Sequence, residues 1–167
     1  QKNIAVRPGA CIGVFLCLWG FCVSSAGSAS VRNLNLLVYN THGLPSLLVR
    51  DNPKERFPKI ATLTQTYDLS LLQEDFAHHP LLLNGLSART FVARGERPET
   101  PPCIICNSSG LTLISNLLDE QWRITETFNA FEACSGWVTK LNDCFAQKGF
   151  QLAVLESLEE ARVVVVN

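Results

Sequence analysis

Methionine is absent from this sequence, and no stretch of it is dominated by basic residues. Because no natural initiator is present, we expect the N-terminus to be clipped. Lysine and arginine number 14 against 15 aspartate and glutamate residues, for a formal net charge of −1. The densest basic stretch, RDNPKERFPK, also carries Asp51 and Glu55. Proteins that bind nucleic acid through its phosphates usually present a basic face, so this composition disfavours nucleic acid as a partner.

Internal repeats and low-complexity tracts are also missing, and the chain is too hydrophobic for a disordered protein. Apolar residues make up 47% and charged residues 17% of its 167 positions. A chain of this length suits one domain.

The N-terminal region contains the longest apolar run, ACIGVFLCLWGFCV. Lys2 and Arg7 precede it, and the small residues SSAGSAS follow it. This is the layout of a secretory signal, so we predict a signal peptide over residues 1–29, cleaved after Ala26 or Ala29. The protein is then secreted or periplasmic, and residues 30–167 form the mature domain. An uncleaved membrane anchor is the alternative, but the run is shorter than the roughly 20 residues that a span needs.

Three of the seven cysteines fall within that signal, and four remain downstream: Cys103, Cys106, Cys134 and Cys144. An even number of cysteines in an exported protein predicts two disulfides, with the connectivity left open. The alternative is a metal site built on the pair in CIIC, which would need a second pair at similar spacing. Cys134 and Cys144 are too far apart in sequence for that, so disulfides are favoured.

The order of secondary structure predicts a layered α/β protein. LNLLVY, residues 34–39, is typical of a strand buried on both faces. A helix is predicted next, either from Pro53, with Asn52 as its cap and Glu55 completing a capping box, or from Pro58. DLSLLQED, from Asp68, indicates a second buried strand, and strand, helix and strand together have a βαβ-like rhythm.

Four further strands are predicted downstream of a proline-rich surface loop over residues 95–109. Their sequences are GLTLIS from Gly110, WRITETF from Trp122, GFQLAVLE from Gly149 and RVVVVN from Arg162.

Two of the predicted strands end in polar residues, one at Asn40 and the other at Glu74. In layered α/β folds, ligands bind beyond the carboxyl ends of strands. If the two strands are neighbours, an amide oxygen and a carboxylate share one pocket, and such oxygen donors suit magnesium. Each residue also has a plainer explanation, because Asn40 precedes a Gly-containing turn and Glu74 could be a solvated strand end.

Five segments, in order, resemble the endonuclease/exonuclease/phosphatase superfamily, and most closely its secreted sphingomyelinase-like phosphodiesterases. They are LNLLVYNTHGLP, ERFPKIATLTQTYDLSLLQED, SGLTLISN, DCFAQKGFQLAVLE and RVVVVN. The resemblance implies the N-terminal portion of a layered α/β sandwich of the deoxyribonuclease-I-like type. It also implies that Glu74 binds Mg²⁺ or another divalent cation and that Asn40 helps to bind metal or phosphate.

The same resemblance makes Asp143 and Lys148, in DCFAQKG, candidates for arranging the active site, although a solvated turn is the alternative for Lys148. No role carries over to His42, His78 or His79, which we expect to pack or to cap turns.

The family's later motifs, which supply its proton-transfer groups, would lie beyond Asn167. We therefore expect a magnesium-dependent phosphodiesterase that acts on a phospholipid head group, sphingomyelin first, at a membrane surface. The 167-residue chain by itself is expected to be inactive and to expose RVVVVN as an unpaired edge. The alternatives are a secreted nuclease of the same superfamily and an inert fragment or binding module.

Overall fold

A computed structural model describes residues 2–6, 32–45, 51–96, 108–117, 122–132, 146–158 and 161–167. These residues form eight strands and two helices. The strands are β1 (Lys2–Val6), β2 (Arg32–Asn40), β3 (Leu69–Gln73), β4 (Phe91–Arg94), β5 (Thr112–Ser115), β6 (Trp122–Ala130), β7 (Gly149–Ser157) and β8 (Arg162–Val166). The helices are α1 (Pro53–Thr64) and α2 (His79–Leu83).

The strands form two sheets. The larger sheet has the order β1-β2-β3-β5-β4, and the smaller sheet has the order β6-β7-β8. Only β2 and β3 run parallel among the paired strands described, joined by α1 as a βαβ crossover, while the other pairs are antiparallel. The predicted strands at Gly110, Trp122, Gly149 and Arg162 are therefore confirmed as β5 to β8.

Two apolar clusters separate three layers. The first lies between the sheets, where Leu69 and Leu71 of β3 pack with Trp122 and Leu155 of the smaller sheet. The second lies between the larger sheet and the helices, where Leu72 and Ile114 pack with residues of α1 and α2. Because side chains alternate along a strand, β3 supplies both clusters, and Leu69 to Leu72 are all buried. The predicted layered α/β architecture is confirmed.

The prediction that β2 is buried on both faces is wrong at its carboxyl end. Leu34 is buried between the sheets and Leu36 packs against the same cluster. Val38, two residues further along the same face, is 60% exposed. The smaller sheet therefore covers that face of β2 only part of the way toward Asn40.

Helix α1 begins at Pro53, as the first of the two alternatives predicted, and Pro58 lies inside it. The predicted side-chain cap is wrong, because Asn52 makes no side-chain hydrogen bond to the helix and only its carbonyl accepts from Glu55 N and Arg56 N. Phe57, Ile60 and Thr64 are buried along one face, the face that packs on the larger sheet.

Several predictions concern residues outside the described ranges. All the cysteines, Asp143 and the apolar run of residues 10–23 lie there, so the disulfides and the signal peptide stay predictions. Residues 2–6 of the predicted signal peptide are described, and they form β1, which pairs with β2. Within the described ranges, none of the helices has the length and apolar character needed to cross a bilayer. Strand β8 pairs with β7 alone among the described strands, and its Val164 and Val166 are exposed.

Candidate active site

The carboxyl ends of β2 and β3 lie side by side. In the parallel register Asn40 is opposite Gln73, and Glu74 follows directly. The side chains of opposed residues in such a pair project from the same face, which is the face toward the smaller sheet, since Leu36 and Leu69 lie on it. The expected adjacency of the two strand ends is therefore found.

The segment after Asn40, residues 41–45, will be called the β2 loop, and backbone hydrogen bonds tie it to the end of β3. Thr41 donates to the Gln73 carbonyl from its backbone N at 2.8 Å and from Oγ1 at 2.9 Å. Gly43 N donates to the Glu74 carbonyl at 2.7 Å. A Cβ on Gly43 would lie 2.5 Å from that carbonyl oxygen, so the close approach requires glycine.

Asn40 has a backbone role in this loop. Its Oδ1 accepts a hydrogen bond from His42 N at 2.8 Å, and His42 has a φ of 48° in the left-handed region. This is the turn-forming function that was the plainer explanation for Asn40. It does not exclude ligand binding, because an amide oxygen has a second lone pair.

Glu74 is the other strand-end residue, and it also has a left-handed backbone, with a φ of 56°. Its side chain is half-buried. No hydrogen bond or ion pair to its carboxylate is formed within the described residues. As far as the described residues show, this strand-end carboxylate is available to a cation.

Arg56 of α1 binds two backbone carbonyls of the β2 loop. Its guanidinium donates to the Thr41 carbonyl and, at 3.1 Å, to the His42 carbonyl, and it forms an ion pair of 2.6 Å with Asp51. The guanidinium carbon also lies 5.4 Å from the centre of the Phe57 ring. No sequence pattern singled out this residue beyond its place on the predicted helix.

A third polar strand end comes from the smaller sheet. Asn167, directly after β8, donates from Nδ2 to the Leu72 carbonyl at 3.0 Å and to Gln151 Oε1 at 3.2 Å. Its Oδ1 accepts from Gln73 Nε2 at 2.5 Å. Gln151, which is fully buried, donates in turn to Glu126 Oε1 at 3.0 Å. An amide network thus joins the two sheets beside Glu74.

The oxygen donors present suit a hard cation that keeps part of its hydration shell. They do not suit a cation whose ligands all come from the protein. Within the described part of the chain there is no group of three or more His, Cys, Asp or Glu residues that could hold a metal ion. Glu74 and Asn40 offer one carboxylate and one amide oxygen. Magnesium, which keeps several waters and takes only one or two protein carboxylates together with substrate phosphate, matches that set.

Comparisons with known proteins bear on the fold. No protein-family model and no curated protein matches the chain. Sphingomyelinase C from Streptomyces griseocarneus is similar in structure, with a TM-score of 0.54 and 23% identity, over 80% of this chain and 47% of that one. TDP2 from D. rerio, solved with a single-stranded DNA product, gives a TM-score of 0.52 and 12% identity, over 80% and 44% of the two chains.

The chain has the endonuclease/exonuclease/phosphatase fold. A D. rerio TDP2 humanized by 14 mutations is similar too, with a TM-score of 0.51 and 12% identity over 80% of this chain and 46% of that one. The chain spans about half the length of these structures. The predicted sandwich of the deoxyribonuclease-I-like type is thereby confirmed.

Two further candidates for the site are Lys148 and Asp143. The structure describes Lys148, whereas Asp143 lies outside the described residues. Lys148 is exposed, directly before β7, and its carbonyl accepts from Phe131 N at 2.8 Å. Since β7 runs antiparallel to β8, the start of β7 lies beside Asn167, at the same end of the sandwich as Glu74. The role of Lys148 in the site stays a prediction.

The histidines separate into three environments. His42 is exposed, with its Nδ1 4.0 Å from Asp51 Oδ2. His78 Nε2 is hydrogen-bonded to the Leu44 carbonyl at 3.1 Å, and its ring packs against Phe57 with centroids 5.4 Å apart. His79 is buried against Asp75. The packing role expected for these residues describes His78 and His79.

Proposed function

We propose that the protein is a magnesium-dependent phosphodiesterase that hydrolyses a phospholipid head group, with sphingomyelin as the first candidate substrate. One observation carries the proposal. The parallel pair β2 and β3 brings Asn40 and Glu74 to one edge of the sheet, in a fold shared with a sphingomyelinase C.

In this proposal each strand end has its own task. Glu74 holds the cation through its carboxylate, and Asn40 orients the cation or a phosphate oxygen through the second lone pair of Oδ1. Asp143 and Lys148 help to arrange the site. A divalent cation bound there supplies the charge that polarises a phosphoryl oxygen and makes water more acidic.

Hydrolysis also needs a general base or acid and groups that stabilise the developing charge. We propose that these groups follow Asn167 in the complete protein, because the chain spans about half the length of the structures it matches. The 167-residue chain alone then shows no measurable hydrolysis, and an extension through the later motifs restores it.

The deciding experiment measures release of the head group from sphingomyelin vesicles by the extended protein in Mg²⁺. Glu74→Gln, which keeps the shape and removes the charge, should lower the rate at least about 100-fold. Glu55→Gln is the matched control, since Glu55 is an exposed carboxylate in the first turn of α1, and it should leave the rate unchanged. Full activity in Glu74→Gln, or robust turnover by the 167-residue chain, contradicts the assignment.

A nuclease of the same superfamily is the second candidate, favoured by the similarity to a TDP2 structure that contains a single-stranded DNA product. The near-neutral charge and the lack of a basic stretch weigh against it. Extended protein that cuts DNA and leaves choline lipids intact would move the assignment to this candidate. Extended protein inactive on both substrates would favour an inert binding module.

Export is part of the proposal, because a lipid substrate at a membrane surface and the predicted signal peptide agree. Mass spectrometry of secreted protein should find a mature N-terminus near Gly27 or Ser30. Recovery of the intact N-terminus in the membrane fraction would show that the apolar run is an anchor.

A further inference from the structure

The backbone at Glu74 requires an explanation. A φ of 56° is uncommon for a residue other than glycine, because the Cβ then crowds the following carbonyl. Residues in such conformations persist where the surrounding structure holds them, and they concentrate at functional sites. Residues 74–76 will be called the Glu74 turn, and their neighbours show what holds it.

Asp75, the next residue, is completely buried. Its Oδ2 accepts a hydrogen bond from Thr112 Oγ1 of β5 at 2.8 Å and is hydrogen-bonded to His79 Nδ1 at the start of α2. Its Oδ1 is also buried and has no hydrogen-bond partner among the described residues. Burying a carboxylate is costly, so a group kept there at this cost, directly after Glu74, calls for a function.

The backbone of the Glu74 turn is fixed from the same side. Asp75 N donates to the Gly110 carbonyl at 2.9 Å. Arg94 of β4 donates to the Asp75 carbonyl at 2.9 Å and to the Phe76 carbonyl at 3.0 Å. The turn is therefore attached to β4, β5 and α2 at once, and Asp75 is the residue that contacts all three.

We propose that Asp75, held by Thr112 and His79, is a positioning residue that fixes the direction of the Glu74 carboxylate toward the cation. The inference rests on the proposed function, in which Glu74 binds that cation. Side chains that orient metal ligands typically change metal affinity by about 10- to 100-fold when they are replaced. Asp75 acts on the carboxylate through the backbone of the Glu74 turn and does not itself touch the cation.

The test measures Mn²⁺ binding to the full-length protein by electron paramagnetic resonance, which reports both the affinity and the geometry of the bound ion. Asp75→Asn keeps the size of the side chain and removes its charge. Thr112→Val removes the hydroxyl that donates to Asp75 and is the milder variant. Both should weaken Mn²⁺ binding, Asp75→Asn by about tenfold or more, and both should alter the spectrum of the bound ion.

Thr64→Val is the matched control. Thr64 is as deeply buried as Thr112, and its hydroxyl donates to the Ala61 carbonyl at 2.8 Å within α1. It lies near the opposite end of the larger sheet, where Asn116 donates to its carbonyl. This variant removes a buried hydroxyl of the same kind and should leave both the affinity and the spectrum unchanged.

Two results would contradict the role of Asp75, and a third would contradict the proposed function as well. Wild-type Mn²⁺ affinity and spectrum in Asp75→Asn, while Glu74→Gln weakens binding, leave the proposed function standing and remove the role of Asp75. Equal effects of Thr64→Val and Thr112→Val show that the losses come from stability alone. Unchanged binding in Glu74→Gln overturns the proposed function and the inference together. If Asp75→Asn does not fold, Thr112→Val decides.

Discussion

Two loops at the candidate site each follow the end of a parallel strand, and they are held in place by different kinds of side chain. The β2 loop and the Glu74 turn each follow a parallel strand, and each contains a non-glycine residue with positive φ, His42 in one and Glu74 in the other. The β2 loop is held by Arg56, which forms an ion pair with Asp51. The side chains of Arg56 and Asp51 are 25% and 38% exposed. The Glu74 turn is held by Asp75, which is buried completely.

This difference predicts unequal rigidity. A hydrogen bond that is lost at an exposed site is replaced by water, whereas a buried group that loses its partner pays the full cost of desolvation. Exposed ion pairs also contribute little to stability and weaken in salt. The Glu74 turn is therefore expected to be the more rigid of the two loops.

The largest expected effect comes from Asp75→Ala. It leaves Thr112 Oγ1 and His79 Nδ1 buried without their hydrogen-bond partner and should lower the free energy of unfolding by about 3 kcal/mol. Urea denaturation measures this loss, provided that the m value stays constant. A loss as small as that of an exposed carboxylate, such as Glu55→Ala, would contradict the contrast between the two loops.

Gly43→Ala tests the contact between them. The added Cβ would lie 2.5 Å from the Glu74 carbonyl oxygen and 2.9 Å from Phe57 Cζ. We expect a loss of about 2 kcal/mol, because a backbone atom cannot give way as a flexible side chain does. Hydrogen exchange should show faster exchange of the Thr41 amide, whose bond to the Gln73 carbonyl depends on the same approach. A variant as stable as the wild type would mean that the two loops separate freely.

Arg56→Met should have a smaller effect, about 1 kcal/mol. Methionine keeps the apolar contact with Phe57, while the Thr41 and His42 carbonyls lose a donor whose side chain is 25% exposed. The measurement is again urea denaturation. A loss equal to that of Asp75→Ala would show that the partly exposed Arg56 matters as much as the buried carboxylate.

Asp51→Asn should have the smallest effect, at most about 0.5 kcal/mol, because the pair with Arg56 is partly exposed. The difference in free energy of unfolding between this variant and the wild type should disappear in concentrated salt, because salt screens the ion pair in the wild type. A loss that persists unchanged at high salt would indicate a role other than charge pairing.

The parts of the fold that depend on local sequence could be predicted from it. β2, α1 and β3 have apolar periodicity and a proline at the helix start, so their order, and with it the placing of Asn40 and Glu74 at one edge, follows from the chain itself. The later strands β5 to β8 carry the same kind of signal. β1, β4 and α2 were not predicted, and KNIAV, the sequence of β1, lies inside the predicted signal peptide.

The surroundings of the site were decided by tertiary structure alone. Asp75 reads as a polar residue after a strand, and only the packing of β5 and α2 around it makes it a buried carboxylate bonded to Thr112 and His79, 37 and four residues away. Asn167 meets Gln73 across 94 residues of sequence. The contacts with Thr112 and Asn167 leave no local pattern, because these residues are distant in the chain from their partners. The sequence therefore determined which residues end the strands, and only the folded layers determined what holds them in place.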